Sequence, residues 1–161
     1  GLVGSEMCIR DSVPPWYRQP FAIHSGGGGI NFGDKAITMH YTNNGSNLDA
    51  YYFTSDGASL GDGVRFSPLT PGSWFHVVYL REGNDQRLYV DGGFVDVYTD
   101  GFGSFQIQNG LLDVGAPNFW NGGWSQNGRD QAKWLGKLDD FRLYDRALND
   151  EEIQALYLEQ H

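Results

Sequence analysis

The segment from Trp134 to Tyr157 constrains the fold most, because it encodes a strand, a turn and a short helix in direct succession. Its first part, GKLDDFRLY, has apolar and aromatic residues at strand-like spacing. Asp139 and Asp140 interrupt this spacing, which indicates either a bulge or a buried polar contact. A chain with this segment needs a sheet to accept the strand and an apolar surface to accept the helix.

The helix start has all the local signals for its position. Asn149 is a favourable N-cap, and Glu152 three residues later completes a capping box. Leu148 before the cap and Ile153 at the fourth helical position have the spacing of a hydrophobic staple. We therefore predict a helix that begins directly after Asn149.

This segment resembles the C-terminal signature of LamG-like domains in the concanavalin A-like lectin/glucanase superfamily. That signature reads G-x-hydrophobic-D-D-x-R-hydrophobic-Y, then R-A-L, a polar cap, E-E-I and L-Y. The matching residues are Gly136, Leu138, Asp139, Asp140, Arg142, Leu143, Tyr144, Arg146, Ala147, Leu148, Glu151, Glu152, Ile153, Leu156 and Tyr157. W-x-H-V-V at 74–78 and L-Y-V-D-G at 88–92 also match the family pattern. The resemblance implies an all-β jelly-roll sandwich of the concanavalin A-like type with one short C-terminal helix.

The rest of the chain is consistent with that fold, since short apolar runs alternate with clusters of Gly, Asn and Asp. Apolar residues on both faces of 73–80 predict a central strand. The predicted strands cover residues 21–25, 36–42, 48–54, 63–67, 73–80, the hairpin 86–98, 104–108 and 111–115.

The hairpin is the clearest of these elements. Asp91-Gly92 predicts a two-residue type I′ turn. This turn would pair Tyr89 with Phe94 on one face of the hairpin and Leu88 with Val95 on the other.

Residues 1–12, GLVGSEMCIRDS, show no pattern of strand or helix and resemble the in-frame translation of a transposase-type sequencing adapter. We therefore expect 1–12 to be adapter-derived, and 13–161 to be a LamG-like sandwich that lacks its first strands. Cys8 is the one cysteine of the chain, so the domain itself would contain no disulfide. The Pro-rich stretch from Val13 to Pro20 is expected to be extended.

The composition excludes some partners. The net charge of −9 argues against a nucleic-acid backbone as ligand. No apolar run approaches the length of a membrane span, which argues against membrane insertion.

The resemblance also suggests a structural calcium ion, because sandwiches of this superfamily often use calcium to join the last strand to the first. Asp139 and Asp140 are the candidate ligands, since calcium takes six to eight oxygen atoms from carboxylates and carbonyls. The alternative is a structural role, in which a buried Asp accepts backbone N–H groups at a bulge.

The longest irregular stretch, residues 116–133, is the candidate ligand site. Aromatic rings can stack on the apolar face of a sugar, while amides and carboxylates bind its hydroxyl groups. The predicted ligand-binding residues are Asn118, Trp120, Asn121, Trp124, Asn127 and Asp130. In the alternative interpretation, the Trp side chains fold back as a lid over the sheet.

Nothing in the sequence indicates catalysis. Glycoside hydrolases of this fold have carboxylates at alternate positions of one strand, typically E-x-D-x-E, and the chain has no such strand. His76 is expected to be a core residue, and His24 and His40 lack metal-ligand spacing.

The leading hypothesis is a non-catalytic carbohydrate- or glycan-binding module of a larger secreted or cell-surface protein. Its partners would be carbohydrates or glycoproteins and the other domains of the parent chain. The alternative is a structural or adhesive module that binds protein, and a glycoside hydrolase fragment is disfavoured by the missing carboxylate strand.

Overall fold

The computed structural model describes residues 4–10, 17–18, 20–24, 35–43, 48–56, 63–67, 70, 72–101, 110–115, 134 and 136–159. Within these ranges the chain forms eleven strands and one helix. In chain order these are β1 (Gly4–Arg10), β2 (Tyr17–Arg18), β3 (Phe21–His24), β4 (Lys35–Asn43), β5 (Leu48–Asp56), β6 (Arg65–Phe66), β7 (Trp74–Glu82), β8 (Asp85–Val90), β9 (Gly93–Thr99), β10 (Leu111–Val114), β11 (Lys137–Tyr144) and α1 (Asp150–Glu159).

The strands form two antiparallel sheets. Sheet A has the order β11-β1-β7-β8-β9, and sheet B has the order β10-β3-β4-β5-β6 with β2 also paired to β4. Each predicted strand that lies in the described ranges is present within two residues of its predicted ends, and 104–108 lies outside those ranges. The prediction of an all-β sandwich with one C-terminal helix is confirmed.

Strand β7 is the central strand of sheet A, and both of its faces are buried. Val77 and Tyr79 point into the core between the sheets, while Val78 and Leu80 contribute to a second apolar cluster. The residues of the core between the sheets are Phe21, Ile23, Ile37, Met39, Val64, Val77, Tyr79, Leu88, Val90 and Trp134. The prediction of a central strand, made from the apolar residues on both of its faces, is therefore correct.

Helix α1 covers the second cluster, which comprises Val78, Leu80, Tyr89, Leu148 and Ile153. The predicted staple is present, because Leu148 and Ile153 are both buried there. The predicted capping box is present as well. The Asn149 N–H donates to the Glu152 carboxylate, and the Glu152 N–H donates to Asn149 Oδ1, both at 2.9 Å. Arg146 then holds the Glu152 carboxylate through two bonds, of 2.7 and 2.5 Å.

The β8–β9 hairpin turns at Asp91 and Gly92, whose φ angles of 50° and 74° are those of the predicted type I′ turn. Tyr89 pairs with Phe94 as predicted, and the two rings pack edge to face with their centroids 5.6 Å apart. The predicted pairing of Leu88 with Val95 is wrong. A bulge shifts the register between Leu88 and Tyr89, so that Leu88 pairs with Asp96.

The bulge has a visible consequence at the edge of the sandwich. With the shifted register, Asp96 lies opposite Leu88, and its carboxylate accepts the backbone N–H of Arg65 at 2.8 Å. This bond joins β9 of sheet A to β6 of sheet B. A charged residue that is engaged in this way also protects an edge strand from pairing with other chains.

Strand β1 contradicts the prediction that residues 1–12 form no regular element. Gly4–Arg10 lies between β7 and β11 and pairs antiparallel with both strands. The register places Met7 opposite Val77 and Ile9 opposite Phe75, so the apolar positions of the segment alternate in phase with those of β7. The prediction erred because this alternation is only a few residues long. The adapter origin of residues 1–12 stays a prediction.

The hairpin turn is docked on helix α1, which makes Gly92 a sensitive position. Gln154 Nε2 donates to the Gly92 carbonyl, and a Cβ atom on Gly92 would lie 2.8 Å from Gln154 Nε2. We expect Gly92→Val to destabilise the protein by about 1 kcal/mol or more, because it adds steric conflict to a left-handed backbone. Thermal unfolding measures the loss.

Gly93→Val is the matched control for this substitution. A Cβ atom on Gly93 meets only the Val90 carbonyl, at an ordinary 3.5 Å, and β-branched residues are favoured in strands. If both variants keep the melting temperature of the parent, the turn assignment is incorrect.

The central position of β1 can be tested with Met7→Pro. Proline removes a backbone donor from an interior strand, so we expect a loss of at least about 1 kcal/mol in the free energy of unfolding. Met7→Val is the control, because it keeps the backbone donor and favours a strand. Chemical denaturation measures both variants, and a parent-like midpoint for Met7→Pro would show that β1 is not part of the sheet.

The helix cap makes stability depend on pH. Hydrogen bonds from Arg146 and from the Asn149 backbone lower the pKa of Glu152 from 4.5 to about 2. The folded state therefore favours the ionised carboxylate. Its contribution is complete above the ordinary pKa and decreases as the pH falls from that value through about 2.

We expect Glu152→Gln to remove this part of the acid sensitivity in urea unfolding curves measured from pH 5 downward. Glu151→Gln is the control, because Glu151 lies in the same turn and its substitution leaves the contacts of Glu152 intact. Equal acid sensitivity in the parent and in Glu152→Gln would contradict the assignment.

Candidate functional site

The predicted ligand-binding residues all lie outside the described residues. They are Asn118, Trp120, Asn121, Trp124, Asn127 and Asp130. Their role stays a prediction, but the residues that flank them on both sides are described.

The two flanking positions of 116–133 are joined to each other. Trp134 N–H donates to the Gly115 carbonyl at 2.9 Å, and Gly115 N–H donates to the Pro20 carbonyl at 2.7 Å. Gly115 has a φ of 78°, a conformation that favours glycine, and this ends strand β10. The two ends of this stretch, Gly115 and Trp134, therefore lie side by side on the sandwich. We call Gly115, Trp134 and Pro20 the loop base.

The loop base is anchored in the core. The side chain of Trp134 is 9% exposed and belongs to the core between the sheets. Beside it, Leu112 and Val114 on strand β10 are 42% and 47% exposed, although their register partners Ile23 and Phe21 are buried. The loop base is thus anchored in the core, and the exposed aliphatic side chains of β10 lie next to it at the edge of sheet B.

Asp139 and Asp140 lie at a bulge in strand β11, as one of the two predicted alternatives states. In the register with β1, Cys8 pairs with Asp139 and Glu6 pairs with Arg142, so two β11 residues face one β1 residue. Both Asp residues are exposed, so the alternative of a buried polar contact is wrong.

The geometry of these two carboxylates fits calcium poorly. Asp139 Oδ1 accepts the N–H of Asp140 at 3.0 Å. Arg142 donates to both oxygen atoms of Asp140, at 3.1 Å from Nε and 2.6 Å from a terminal nitrogen. In the part of the chain that the structure describes, no group of three His, Cys, Asp or Glu residues could hold a metal. Calcium at this position stays a prediction.

A buried polar network at the end of sheet A was not anticipated. Arg81 forms two bonds to the Asp100 carboxylate, at 2.5 and 2.9 Å, and Gln86 donates to the same carboxylate at 2.9 Å. The Tyr79 hydroxyl donates to Gln86 Oε1 at 3.1 Å. The signal was present in the sequence, because alternation from Val77 through Tyr79 places Arg81 on the inner face of β7.

Burial controls the ionisation of this network. It raises the pKa of Tyr79 well above its ordinary value. For Arg81, burial alone would lower the pKa, but the hydrogen bonds and charge interactions with Asp100 and Tyr79 together outweigh burial and raise the pKa. Tyr79 therefore stays neutral and Arg81 stays charged. The network fixes the point where the chain leaves β9.

His76 is a core residue, as predicted. It is 1% exposed, and its ring lies 5.9 Å from that of Tyr157 on helix α1. Its backbone is joined to the hairpin turn, because His76 N–H donates to Asp91 Oδ1 at 2.9 Å and Asp91 N–H donates to the His76 carbonyl at 2.8 Å. The side chains of His24 and His40 lie outside the described residues.

Two antiparallel sheets that share one core, with a helix on the outer face of sheet A, define a jelly-roll sandwich. The chain belongs to the concanavalin A-like lectin/glucanases superfamily, whose laminin G-type family model matches residues 9–154. A comparison with curated proteins found no match.

Several solved structures share the fold at low sequence identity. The heptameric SAP-like pentraxin from Limulus polyphemus has a TM-score of 0.68 and 17% identity, with 97% of this chain and 69% of the pentraxin chain covered. The IT-sialidase CBM40 of Ruminococcus gnavus has a TM-score of 0.67 and 12% identity, covering 97% and 82%. Domain 4 of AbnA, a GH43 extracellular arabinanase from Geobacillus stearothermophilus, was solved in complex with arabinotriose. It has a TM-score of 0.65 and 14% identity, covering 97% and 66%.

Among the described residues, no helix has the length and apolar character that a membrane crossing requires.

Proposed function

We propose that the chain is a non-catalytic carbohydrate-binding module of a larger secreted or cell-surface protein, with residues 116–133 as the ligand-binding loop. The observation that carries this proposal is the loop base. The bond between Trp134 and Gly115 and the burial of Trp134 fix both flanks of the loop on the sandwich. Binding residues are commonly placed on loops that a rigid scaffold positions.

The composition of the loop suits a sugar ligand. Sugar rings present an apolar face, on which Trp120 and Trp124 can stack, and a rim of hydroxyl groups, to which Asn118, Asn121, Asn127 and Asp130 can hydrogen-bond. The exposed Leu112 and Val114 beside the loop base extend the apolar surface. The proposed site therefore has both kinds of contact that a carbohydrate needs.

The neighbours in fold support the ligand class. The CBM40 of R. gnavus IT-sialidase was also solved with bound α2,3 sialyllactose, and the AbnA domain with arabinotriose. Another neighbour is described as a putative carbohydrate binding protein from Bacteroides ovatus, with a TM-score of 0.63. These proteins make a glycan the first ligand class to test, although the sugar recognised by each belongs to that protein.

The chemistry of the chain favours binding over hydrolysis. Hydrolysis by retaining or inverting glycosidases needs two carboxylates across the scissile bond. The sequence has no E-x-D-x-E strand, and Asp140, at the bulge, is paired with Arg142. The proposed binding of a glycan does not depend on calcium.

One observation favours the second candidate, a protein-binding role. Phe94 and Val97 on edge strand β9 are 57% and 50% exposed, and their register partners Tyr89 and Arg87 place both on the helix-covered side of sheet A. A screen of the folded chain on a glycan array separates the two candidates, because a protein-binding module would bind no glycan.

The aromatic residues of the loop provide the sharper prediction. We expect Trp120→Ala and Trp124→Ala to weaken binding of the best array glycan by about 10-fold or more, since stacking contacts of this size contribute about 1–3 kcal/mol. The melting temperature should be nearly unchanged. Isothermal titration calorimetry and thermal unfolding measure the two quantities.

Trp74→Ala is the matched control, because Trp74 is a 41% exposed tryptophan at the start of β7, outside the loop. It should bind the glycan like the parent. If Trp120→Ala and Trp124→Ala instead lose several kcal/mol of stability, as buried aromatics do, the Trp residues form a lid and the binding role is wrong.

A further inference from the structure

The bulge in β11 determines which side chains of the strand face the core. Leu138 and Phe141 both pack against the core between the sheets, and the Phe141 ring meets that of Phe21 at 5.2 Å. These two residues are three apart, whereas a regular strand places only every second residue on one face. Without the bulge, Asp140 would face the core and Phe141 would face outward. The extra residue therefore keeps a charge out of the core.

The bulge requires an unusual backbone at Asp140. Its φ is 51°, in the left-handed region, which Asp and Asn tolerate better than other non-glycine residues. Two contacts hold this conformation. Asp139 Oδ1 accepts the Asp140 N–H, and the Arg142 guanidinium binds both oxygen atoms of the Asp140 carboxylate.

We propose that the Arg142 guanidinium is the built-in counter-cation of this bulge and takes the place that a divalent ion would otherwise have beside Asp139 and Asp140. The last strand is then joined to the sheet without calcium. This inference concerns the fold of β11 and is independent of the proposed glycan binding.

The arrangement of donors supports a guanidinium over a metal. Three of the four oxygen atoms of the two carboxylates accept hydrogen bonds within the strand itself. Calcium binds oxygen at about 2.3–2.6 Å, so an ion on Asp140 would lie within about 5 Å of the Arg142 guanidinium. Repulsion between a dication and a cation at that distance opposes binding. A planar guanidinium, by contrast, matches both oxygen atoms of one carboxylate.

The pair acts through geometry more than through its charge. Both side chains are 38% exposed, and ion pairs at such positions contribute little on their own. The pair is separated by one residue, Phe141, which is the residue that the bulge directs into the core. Breaking the pair releases the conformation of Asp140 and thereby loosens the packing of Phe141.

The test compares melting temperatures in calcium and in the chelator EGTA. We expect the parent chain to melt at the same temperature in both buffers. Arg142→Met should lower the melting temperature by about 1–3 °C. Arg142→Lys, which keeps the charge but loses the two-point contact, should fall between the parent and Arg142→Met.

Asp140→Asn and the double variant with Arg142→Met complete a double-mutant cycle. Asp140→Asn removes the charge but tolerates the left-handed backbone, so Asp140→Asn, Arg142→Met and the double variant should lose similar amounts. Lys137→Met is the control, because Lys137 is an exposed cation on the same strand and its loss changes the net charge equally. Lys137→Met should melt like the parent.

Two results would overturn the proposal. One is a calcium-dependent rise in the melting temperature of the parent that Asp140→Asn abolishes. The other is an Arg142→Met variant that melts like Lys137→Met. If Arg142→Met does not fold, calorimetric titration of the parent with CaCl2 decides the question. Stoichiometric heat would overturn the proposal, and its absence together with the failure to fold would support it.

Discussion

Both faces of strand β7 carry apolar side chains that must be buried, and the rest of the fold follows from this constraint. Val77 and Tyr79 on one face require sheet B, and Val78 and Leu80 on the other require helix α1. Burial of apolar side chains is the main favourable term in folding, and a strand with two apolar faces is stable only between two layers. The chain supplies the second layer through β3 and β4 and the third through the segment that follows β11.

The connections that complete the sandwich are polar and specific. The β8–β9 turn is held by the His76 backbone and by Gln154 of helix α1, and Asp96 joins β9 to β6. At the opposite edge of the fold, Trp134 and Gly115 fix the flanks of residues 116–133. The framework therefore holds both flanks of residues 116–133 at one point of the sandwich.

Local chemistry could be predicted from the sequence wherever one signal determined one geometry. The Asp91-Gly92 turn and the Asn149 cap follow from such signals and are correct. At Asp139 and Asp140 the sequence left a bulge and a buried polar contact open, and the structure shows the bulge. The pairing of Leu88 with Val95 failed because a bulge is set by the partner strand and not by the turn. The strand at residues 4–10 was not predicted, because a short alternating segment becomes a strand only where neighbouring strands, here β7 and β11, pair with it. The alternation of β7 places Arg81 on its inner face, but no local pattern specifies the contact of Arg81 with Asp100, 19 residues away. The predicted ligand residues lie outside the described ranges, so their role stays a prediction, and the loop base was found only in the structure.

The most direct measurement of the central claim is an NMR titration that follows the indole N–H signals of the five tryptophans as the best array glycan is added. We expect the signals of Trp120 and Trp124 to shift, while that of Trp134, which is buried in the loop base, keeps its position. The opposite result would contradict this expectation, namely an indole shift confined to Trp74 or Trp134, or no indole shift at saturating glycan.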